Sequence, residues 1–340
     1  KYKDLMAKNV LITGITGMVG SHLADYLLNK TNWKIYGLSR WRSPLDNVEH
    51  LLPLAIKKTR LEFIYGDLTD ISSMIKALKI SKPDYVFHLA AQSYPKTSFD
   101  EGILTFNTNI SGTYNLLDSI KILNLKPLIH VCSSSEVFGK VDKANLPINE
   151  NCSYHPASPY AISKVGTDLV GKYFFEAFKQ KILITRMFTH TGPRRGDVFA
   201  ESSFAKQIAL IEAKKIPKII KVGNLDSLRT YADVRDAVKA YYLLLTKNPK
   251  AGEIYNIGGN FTCSVREMLE YLLSLSKIKN IKIKVDKERV RPIDADLQVP
   301  DTSKFKNHTH WKPKISFKKT MKDLLEYWRI RVKKANFLDR

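Results

Sequence analysis

Residues 9–29 read NVLITGITGMVGSHLADYLLN, and this stretch decides how the rest of the chain is organised. It opens with an apolar run that lacks polar alternation, as is typical of a strand buried on both faces, and it closes with helical periodicity. Between the two stand Gly14, Gly17 and Gly20, which permit a tight turn, close approach of a pyrophosphate and packing of the helix on the strand. This placement predicts a dinucleotide-binding loop, with a merely structural turn as the alternative. The predicted cofactor contacts in the loop are Gly14, Thr16, Gly17, Met18 and Val19.

The same alternation of strands and helices continues along the chain. Further apolar strands are predicted at Lys34–Leu38, Leu61–Tyr65, Pro83–Leu89, Leu128–Val131 and Ile182–Met187. Helices are predicted at Asn107–Ser119, Tyr160–Lys179, Asp233–Thr246 and Ser264–Leu275. This pattern favours the α/β class with a doubly wound parallel (Rossmann) sheet. We predict a dinucleotide-binding domain over residues 9–187 and a smaller C-terminal α/β substrate lobe over 188–335, with some elements returning to the first domain.

The end of the second predicted strand bears on the choice of cofactor. NAD-specific chains usually carry an acidic residue there for the ribose 2′-hydroxyl, whereas this chain has Ser39, Arg40, Trp41 and Arg42. Because a guanidinium pairs with a 2′-phosphate, the sequence favours NADP and leaves NAD open; the alternative is that the arginines serve an interface. Asp67 is predicted to accept from the adenine amino group. The other predicted cofactor contacts are Arg40, Leu68, Leu89, Ala90, Ala91 and Gln92.

Residues 130–139 read HVCSSSEVFG and lie where a parallel sheet opens towards its ligand crevice. Tyr160 and Lys164 stand four residues apart on a predicted helix and therefore on one face of it. The ammonium group can lower the pKa of the phenol and anchor a ribose. The set offers a tyrosine base, a hydroxyl clamp and an extra carboxylate; the alternatives are serine turn formers and a glutamate that caps a helix. The predicted catalytic residues are Ser134, Ser135, Glu136, Tyr160 and Lys164.

Composition bounds the remaining function classes. A chain of 340 residues that is 44% hydrophobic can bury a large core, and no apolar run is long enough to span a bilayer, so we expect no membrane partner. The formal charge of +22 is spread along the whole chain without interleaved aromatic residues, so we expect a solvated surface and no nucleic acid. Three cysteines without metal-ligand spacing, and no signal peptide, predict no metal and a cytoplasmic protein.

With these residues in place, the chain resembles the extended short-chain dehydrogenase/reductases and, among them, the GDP-mannose 4,6-dehydratases. The resemblance covers nearly everything from Asn9 to Trp328. It rests on Thr13–Gly17, Tyr65–Asp70, Ala91–Ser93, Ser98–Asp100, Ser134–Glu136, Ser158–Tyr160 with Lys164, Pro193–Gly196, Gly223–Asp226 with Arg229, Arg291–Pro292 and Trp311–Pro313. Together these stretches are far more specific than any one of them.

The resemblance implies a GDP-linked sugar as the substrate, a tightly held NADP and a homotetramer. In that tetramer residues 40–50 reach the cofactor site of a neighbouring subunit. It also adds His190 to the cofactor contacts. The implied substrate contacts are Ser93, Thr189, Arg194, Arg195, Val222, Asn224, Arg229 and Arg291. Among these, Arg229 and Arg291 also suggest anion binding from their local sequence, although each is as readily a surface ion-pair partner.

The implied reaction is a 4,6-dehydration. Tyr160, with its pKa lowered by Lys164 and the nicotinamide charge, takes the proton of the sugar 4-hydroxyl while hydride leaves C4 and Ser134 steadies the oxygen. Glu136 then removes the C5 proton, and together with Ser135 it assists loss of the C6 oxygen as water. Hydride returns to C6, so the product is a 4-keto-6-deoxy sugar still attached to GDP.

Three departures from the family pattern limit what the resemblance implies. Thr189–Thr191 replaces the usual Asn-His-Glu, residues 197–203 (DVFAESS) replace a more basic stretch, and Ser134 replaces a threonine. The first two border the sugar pocket, so GDP-mannose and GDP-D-glycero-D-manno-heptose both stay open. A GDP-4-keto-sugar reductase or C4 epimerase is the alternative within the fold, because it needs no Glu136. The alternative from another class is a non-catalytic nucleotide- or RNA-binding module.

Overall fold

The computed structural model describes residues 7–290 and 295–334, so Arg291 and position 335, the predicted end of the second lobe, lie outside it. The described strands are β1 Asn9–Thr13, β2 Lys34–Ser39, β3 Leu61–Tyr65, β4 Tyr85–His88, β5 Leu128–Ser134, β6 Lys181–Met187, β7 His190–Thr191, β8 Ile219–Val222, β9 Leu228–Asp233, β10 Ile254–Ile257, β11 Phe261–Ser264, β12 Lys282–Val285 and β13 Leu297–Gln298. The α-helices are α1 Met18–Lys30, α2 Leu52–Lys57, α3 Ile71–Ser81, α4 Pro95–Asp100, α5 Gly102–Phe106, α6 Gly112–Ile122, α7 Pro159–Phe178, α8 Ala200–Glu212, α9 Val234–Thr246, α10 Val265–Ser274, α11 Ser303–Thr309 and α12 Phe317–Lys333.

A seven-stranded parallel sheet organises the molecule, in the order β10-β6-β5-β4-β1-β2-β3. The strand order reverses between β1 and β4, and in such sheets the ligand crevice opens beyond the carboxyl ends at that point. The predicted doubly wound parallel sheet is therefore confirmed. Its central strands have no polar alternation because both of their faces are covered by helices.

Two hydrophobic cores cover the two faces of this sheet. On one face α1 and α9 pack together, with Leu23 and Tyr241 fully buried. On the other face α3, α6 and α7 bury residues such as Leu117 and Phe174. In this arrangement the carboxyl ends of β1 to β6 all point to one edge, which is where the predicted site residues stand.

The C-terminal half of the chain divides between the sheet and a separate lobe. α9 and β10 return to the large sheet, while α8, α10 and α12 surround a third core together with small sheets. These sheets are β11-β9-β13, with β7 paired to β9, and the parallel pair β12-β8. No helix among residues 7–290 and 295–334 has the length and apolarity to cross a bilayer.

Two elements near the site differ from the sequence-based expectation. β5 does not end at Val131 but continues to Ser134, because its pairing with β6 runs on to Met187. The helix expected at Asn107–Ser119 extends over α5 and α6 and contains a π-helical turn at Asn107–Ser111. Hydroxyl groups of Thr113 and Thr167 both donate to the Asn109 carbonyl, which gives that turn partners outside the regular helical ladder.

Asp236 on α9 connects the first domain to the segment before α12. Its Oδ2 accepts from the backbone N–H groups of Lys314 and Ile315, at 2.7 Å each. Asp236→Ala leaves two backbone donors without their acceptor. We therefore expect the free energy of unfolding to fall by about 1–3 kcal/mol and the melting temperature in calorimetry to fall with it. The control is Asp142→Ala, an exposed residue whose side chain caps nothing. Equal melting of the two variants would contradict this role.

Candidate active site

The glycine loop after β1 is built for close approach of a ligand backbone. Gly14 has φ +74°, and a Cβ added there would lie 2.8 Å from the Ala90 Cα atom. A Cβ added at Gly20 would lie 2.3 Å from the Gly14 carbonyl oxygen, so α1 packs directly on the loop. Gly17 occupies the N-cap of α1 and supplies no side-chain cap. The first N–H groups of α1 are thereby left for an anion, as a pyrophosphate site requires.

The ends of β2 and β3 suit the adenosine half of a dinucleotide. The Ser39 hydroxyl is buried and has no hydrogen-bond partner in the described residues, and the neighbouring Arg40 is exposed without an ion pair there. Asp67 uses Oδ1 to accept from the backbone and hydroxyl of Thr69, which fixes its own turn. The unpartnered Ser39 hydroxyl next to the Arg40 cation suits the polar substituents of a ribose. The residues present therefore fit the predicted cofactor.

The loop after β4 is held by two residues to which sequence analysis gave no role there. The Thr13 hydroxyl accepts from the N–H groups of Leu89 and Ala90, at 3.1 Å each. The Asn109 side chain accepts from Gln92 N at 2.8 Å and donates to the Gln92 carbonyl. Thr13 and Asn109 are distant in sequence from this loop, so only the fold brings them to it. The predicted residues Leu89 to Gln92 thus form a fixed wall of the crevice.

A short turn carries the predicted catalytic serines and glutamate. Ser134 ends β5, and its Oγ accepts from Glu136 N at 3.2 Å, which caps a 3-10 helix at Ser135–Phe138. Gly139 closes the turn with φ +52°, where an added Cβ would collide with the His155 carbonyl oxygen. Residues 134–139 (SSEVFG) therefore form a capped turn whose first residue, Ser134, also faces the crevice.

The helix predicted at Tyr160–Lys179 is α7, which begins one residue earlier, at Pro159. Ser158 caps it by accepting from Ala161 N at 3.0 Å, and proline follows at the first helical position. Ser98 adds a tether, because its Oγ accepts from Tyr160 N at 2.9 Å. Tyr160 is 8% exposed and Lys164, one turn later, is 6% exposed. Both lie on the buried face of the helix at the crevice.

Ser134 and Tyr160 lie next to each other at the crevice. Burial raises the pKa of Tyr160, while the neighbouring Ser134 hydroxyl and the charge of Arg195 oppose this rise. Lys164 was expected to lower the pKa of Tyr160, but it is not among the groups that do so in the structure. The physical reason is position: Nζ donates to the Cys132 carbonyl at 2.8 Å and lies 6.0 Å from the centre of the Tyr160 ring.

Glu136 lies next to this pair with its carboxylate free. The residue is half-buried, and its side chain has no hydrogen bond or ion pair to any residue in the described ranges. Its negative charge is close enough to contribute to raising the pKa of Tyr160. The helix-capping alternative fails here, because the cap of this turn is Ser134. The carboxylate is available for proton transfer.

Arg195 and His190 form the opposite wall. Arg195 Nε donates to Glu201 at 3.1 Å, and its guanidinium lies 3.4 Å from the Phe199 ring centre. Burial and the charge of Arg195 lower the pKa of His190 to about 4. A neutral imidazole that contacts the Phe188 carbonyl at 3.2 Å is suited to hold a ligand rather than to act as an acid.

The other predicted substrate residues are divided. The side chain of Arg194 forms an ion pair with Asp25 on α1 at 2.7 Å, and Val222 is fully buried in the lobe core. These contacts speak against a substrate role for the two side chains. Four other predicted substrate residues lie near the crevice or in the lobe, namely Ser93, Thr189, Asn224 and Arg229. Arg291 lies outside the described residues.

The chain is similar to known proteins over most of its length. The sequence model of the family GDP-mannose 4,6 dehydratase matches residues 11–324. GDP-mannose 4,6 dehydratase of Drosophila melanogaster is 31% identical over 95% of this chain and 86% of that protein. GDP-6-deoxy-D-mannose reductase of Pseudomonas aeruginosa is 30% identical over 96% and 99%. The solved structure of RMD from Pseudomonas aeruginosa complexed with NADPH superposes with a TM-score of 0.80 at 29% identity, covering 95% of this chain and 99% of that one.

The fold, the glycine loop and the serine–tyrosine–lysine set define an extended short-chain dehydrogenase/reductase. Within that class, the chain belongs to the GDP-mannose 4,6 dehydratase family. The predicted family and a GDP-sugar 4,6-dehydratase as the main interpretation are confirmed, while the reductase relative fits the alternative that the sequence left open.

Gly14→Ala tests the cofactor loop. The added methyl group would meet the backbone of Ala90 at a positive φ, so the loop must shift away from its anion-binding shape. We expect at least about a tenfold loss of NADPH affinity, measured by fluorescence titration. Gly102→Ala is the matched control, since its nearest atom would be 3.8 Å away. Equal affinity for both variants would show that the loop does not hold the cofactor.

Proposed function

We propose that the protein is a nicotinamide-dependent GDP-sugar 4,6-dehydratase. It converts GDP-mannose, or GDP-D-glycero-D-manno-heptose, to the corresponding 4-keto-6-deoxy sugar. The observation that carries the proposal is the unpaired carboxylate of Glu136 beside the neighbouring Ser134 and Tyr160. A dehydrogenase or reductase needs only the hydroxyl groups and the lysine, whereas removal of a C5 proton needs a further base.

The first half of the reaction belongs to Tyr160. Its phenol takes the proton of the sugar 4-hydroxyl, and Ser134 donates to the same oxygen. Since burial disfavours the phenolate, the cationic groups nearby decide whether this base is available. When bound, the dinucleotide supplies a hydride acceptor and later a hydride donor, together with the positive charge of its oxidised ring. Lys164, anchored on the Cys132 carbonyl, keeps its ammonium next to the same pocket.

The second half belongs to the turn that follows β5. The 4-ketone acidifies the C5 hydrogen, and Glu136 removes it as a proton. Ser135 and the protonated Glu136 then donate to the C6 oxygen, which leaves as water. After reduction at C6, the proton that Tyr160 took from the 4-hydroxyl is passed to C5 through the ionised Glu136, so both bases end in their starting forms. Every proton taken in one step is thus given back in another, so no external acid, base or oxidant is consumed.

Glu136→Gln separates the dehydratase from the reductase. An amide cannot accept the C5 proton, so we expect loss of dehydration by at least about a thousandfold while slow C4 oxidation remains. Mass spectrometry and proton NMR would follow loss of water from GDP-mannose and, separately, from GDP-manno-heptose without added cofactor. Of these two GDP-sugars, the wild type should measurably dehydrate only the one that its pocket favours.

The matched control for this experiment is Glu176→Gln, which changes an exposed glutamate on α7. Full dehydration by Glu136→Gln would refute the proposal. Reduction of a supplied 4-keto sugar with NADPH, without dehydration by the wild type, would favour the reductase. The latter outcome is the second candidate function because a reductase aligns with the chain at 30% identity.

NADP is the proposed dinucleotide. Arg40 is exposed at the end of β2 and has no ion pair in the described residues, next to the unpartnered Ser39 hydroxyl. A guanidinium at this place suits a 2′-phosphate, and no acidic side chain follows β2 directly to bind a 2′-hydroxyl instead. The related RMD structure was solved with NADPH.

Arg40→Gln is expected to weaken binding of NADPH about tenfold while binding of NADH changes little. The physical reason is that only NADPH presents a phosphate to the lost guanidinium. Arg42→Gln is the control, because that guanidinium lies over the Trp41 ring at 5.0 Å. Isothermal titration of both variants with both cofactors would measure the difference. A parallel loss for NADH would remove the basis for NADP preference.

We also propose a cytoplasmic homotetramer. Exposed apolar side chains gather on three neighbouring helices, α5, α6 and α7, and such a surface favours contact with another copy. They are Ile103, Leu104, Tyr114, Ile122, Ile162, Leu169, Tyr173 and Phe178. Residues 40–50 are only partly free to reach a neighbour, since Asn47 and His50 contact their own subunit while Trp41 is 73% exposed. The three cysteines are free thiols, which suits a reducing compartment.

A further inference from the structure

A buried ion pair lies one helical turn beyond Lys164. Asp168 on α7 is fully buried, and its Oδ2 accepts from Arg186 Nε at 2.8 Å and from the Tyr154 hydroxyl at 3.2 Å. Arg186, itself buried on β6, donates from Nη2 to the Tyr154 oxygen at 2.7 Å and from Nη1 to the Glu150 carbonyl at 2.8 Å. Burying such a pair costs about as much desolvation as the attraction returns, so stability alone does not explain it.

Asp168 is aligned with Lys164. The two residues stand four apart on α7, so their side chains share one face, and both are buried. Lys164 uses one donor on the Cys132 carbonyl and has no other acceptor among the described residues. Asp168 Oδ1 is a buried carboxylate oxygen without a hydrogen-bond partner in the same ranges. Opposite charges with unused hydrogen-bonding capacity thus lie on one buried helix face, where their attraction is little screened.

Asp168 gives Lys164 a carboxylate counter-charge. Burial lowers the pKa of Lys164, while Cys132 and the Asp168 carboxylate oppose this lowering. The imidazoles of His88 on β4 and His130 on β5 are neutral, because burial lowers the pKa of each to about 3. The carboxylate on α7 therefore opposes the loss of charge that burial would otherwise impose.

We propose that Asp168 is a positioning residue that, held by Arg186 and Tyr154, keeps Lys164 in the ammonium form on the Cys132 carbonyl beside Tyr160. Arg186 extends this role to the catalytic turn, because its guanidinium lies 5.1 Å from the ring centre of Phe138. Phe138 ends the turn that carries Glu136. One buried pair thus supports the charge of the lysine and the placement of the turn. The inference rests on the role of Lys164 in the proposed function.

The test measures the titration of Lys164 directly. NMR of protein labelled at the lysine ε-carbons follows each amine against pH, and Lys164→Arg assigns the signal. Removing a nearby anion disfavours the ammonium, so Asp168→Asn should move the Lys164 titration to lower pH by about one unit or more. The alkaline limb of turnover should move in the same direction, with KM for the GDP-sugar unchanged, because activity is lost once the ammonium is lost.

A second variant guards against a folding defect. Asp168→Asn leaves a buried guanidinium unpaired, so Asp168→Asn with Arg186→Met removes both charges, and we expect a smaller shift in the same direction. Glu212→Gln with Arg329→Met is the matched control, since it removes a partly buried pair in the lobe and should leave the Lys164 titration unchanged.

An unshifted Lys164 signal in a folded double variant, or failure of both Asp168 variants to fold, would overturn the inference and make Asp168 a structural residue. The NMR titration needs no substrate, so its result stands apart from the proposed function. If Asp168→Asn shifts the Lys164 signal but the wild type dehydrates no GDP-sugar, the proposed function is refuted and the inference about Asp168 stands.

Discussion

The close approach of the Ser134 hydroxyl to the Tyr160 phenol is the contact on which the rest of the site depends. It joins the carboxyl end of β5 to the first turn of α7, two elements separated by the 24 residues 135–158. Both ends are fixed independently. Ser134 caps its own turn, and Ser98 accepts from the backbone of Tyr160. The relative position of the two hydroxyl groups follows from these anchors.

Burial sets the chemical character of the site. It raises the pKa of Tyr160 and lowers that of Lys164, so both groups are pushed away from the charged forms that the reaction uses. The structure opposes this with hydroxyl and cationic groups around the phenol and with carboxylate Asp168 near the lysine. Among the described residues, the positive charge of Arg195 lowers the pKa of Tyr160. The charge states of both groups therefore depend on a few charges in a poorly screened interior.

The substrate lobe is linked to the cofactor side through polar contacts near residues 40–50. Asp46 forms an ion pair with Arg331 of α12 at 3.1 Å, and Asn47 donates to the Thr16 carbonyl in the glycine loop. Arg194, which follows the β7 region, is bound to Asp25 of α1. The same segment thus contacts the cofactor loop and the lobe. Its anchoring explains why the side chain of Arg194 serves domain contact.

Local sequence determined the glycine loop, the large parallel sheet and the capped start of α7, because each depends on spacing and on residues close in the chain. It also brought out Ser134, Glu136, Tyr160 and Lys164 as one set. Tertiary structure alone decided that Asn109 and Thr13 hold the loop after β4, that β10 completes the sheet and that Val222 is core. It also decided the pairing of Asp168 with Arg186 and the position of Lys164 on the Cys132 carbonyl. These features depend on burial and on contacts between distant segments, which no local pattern of residue types encodes.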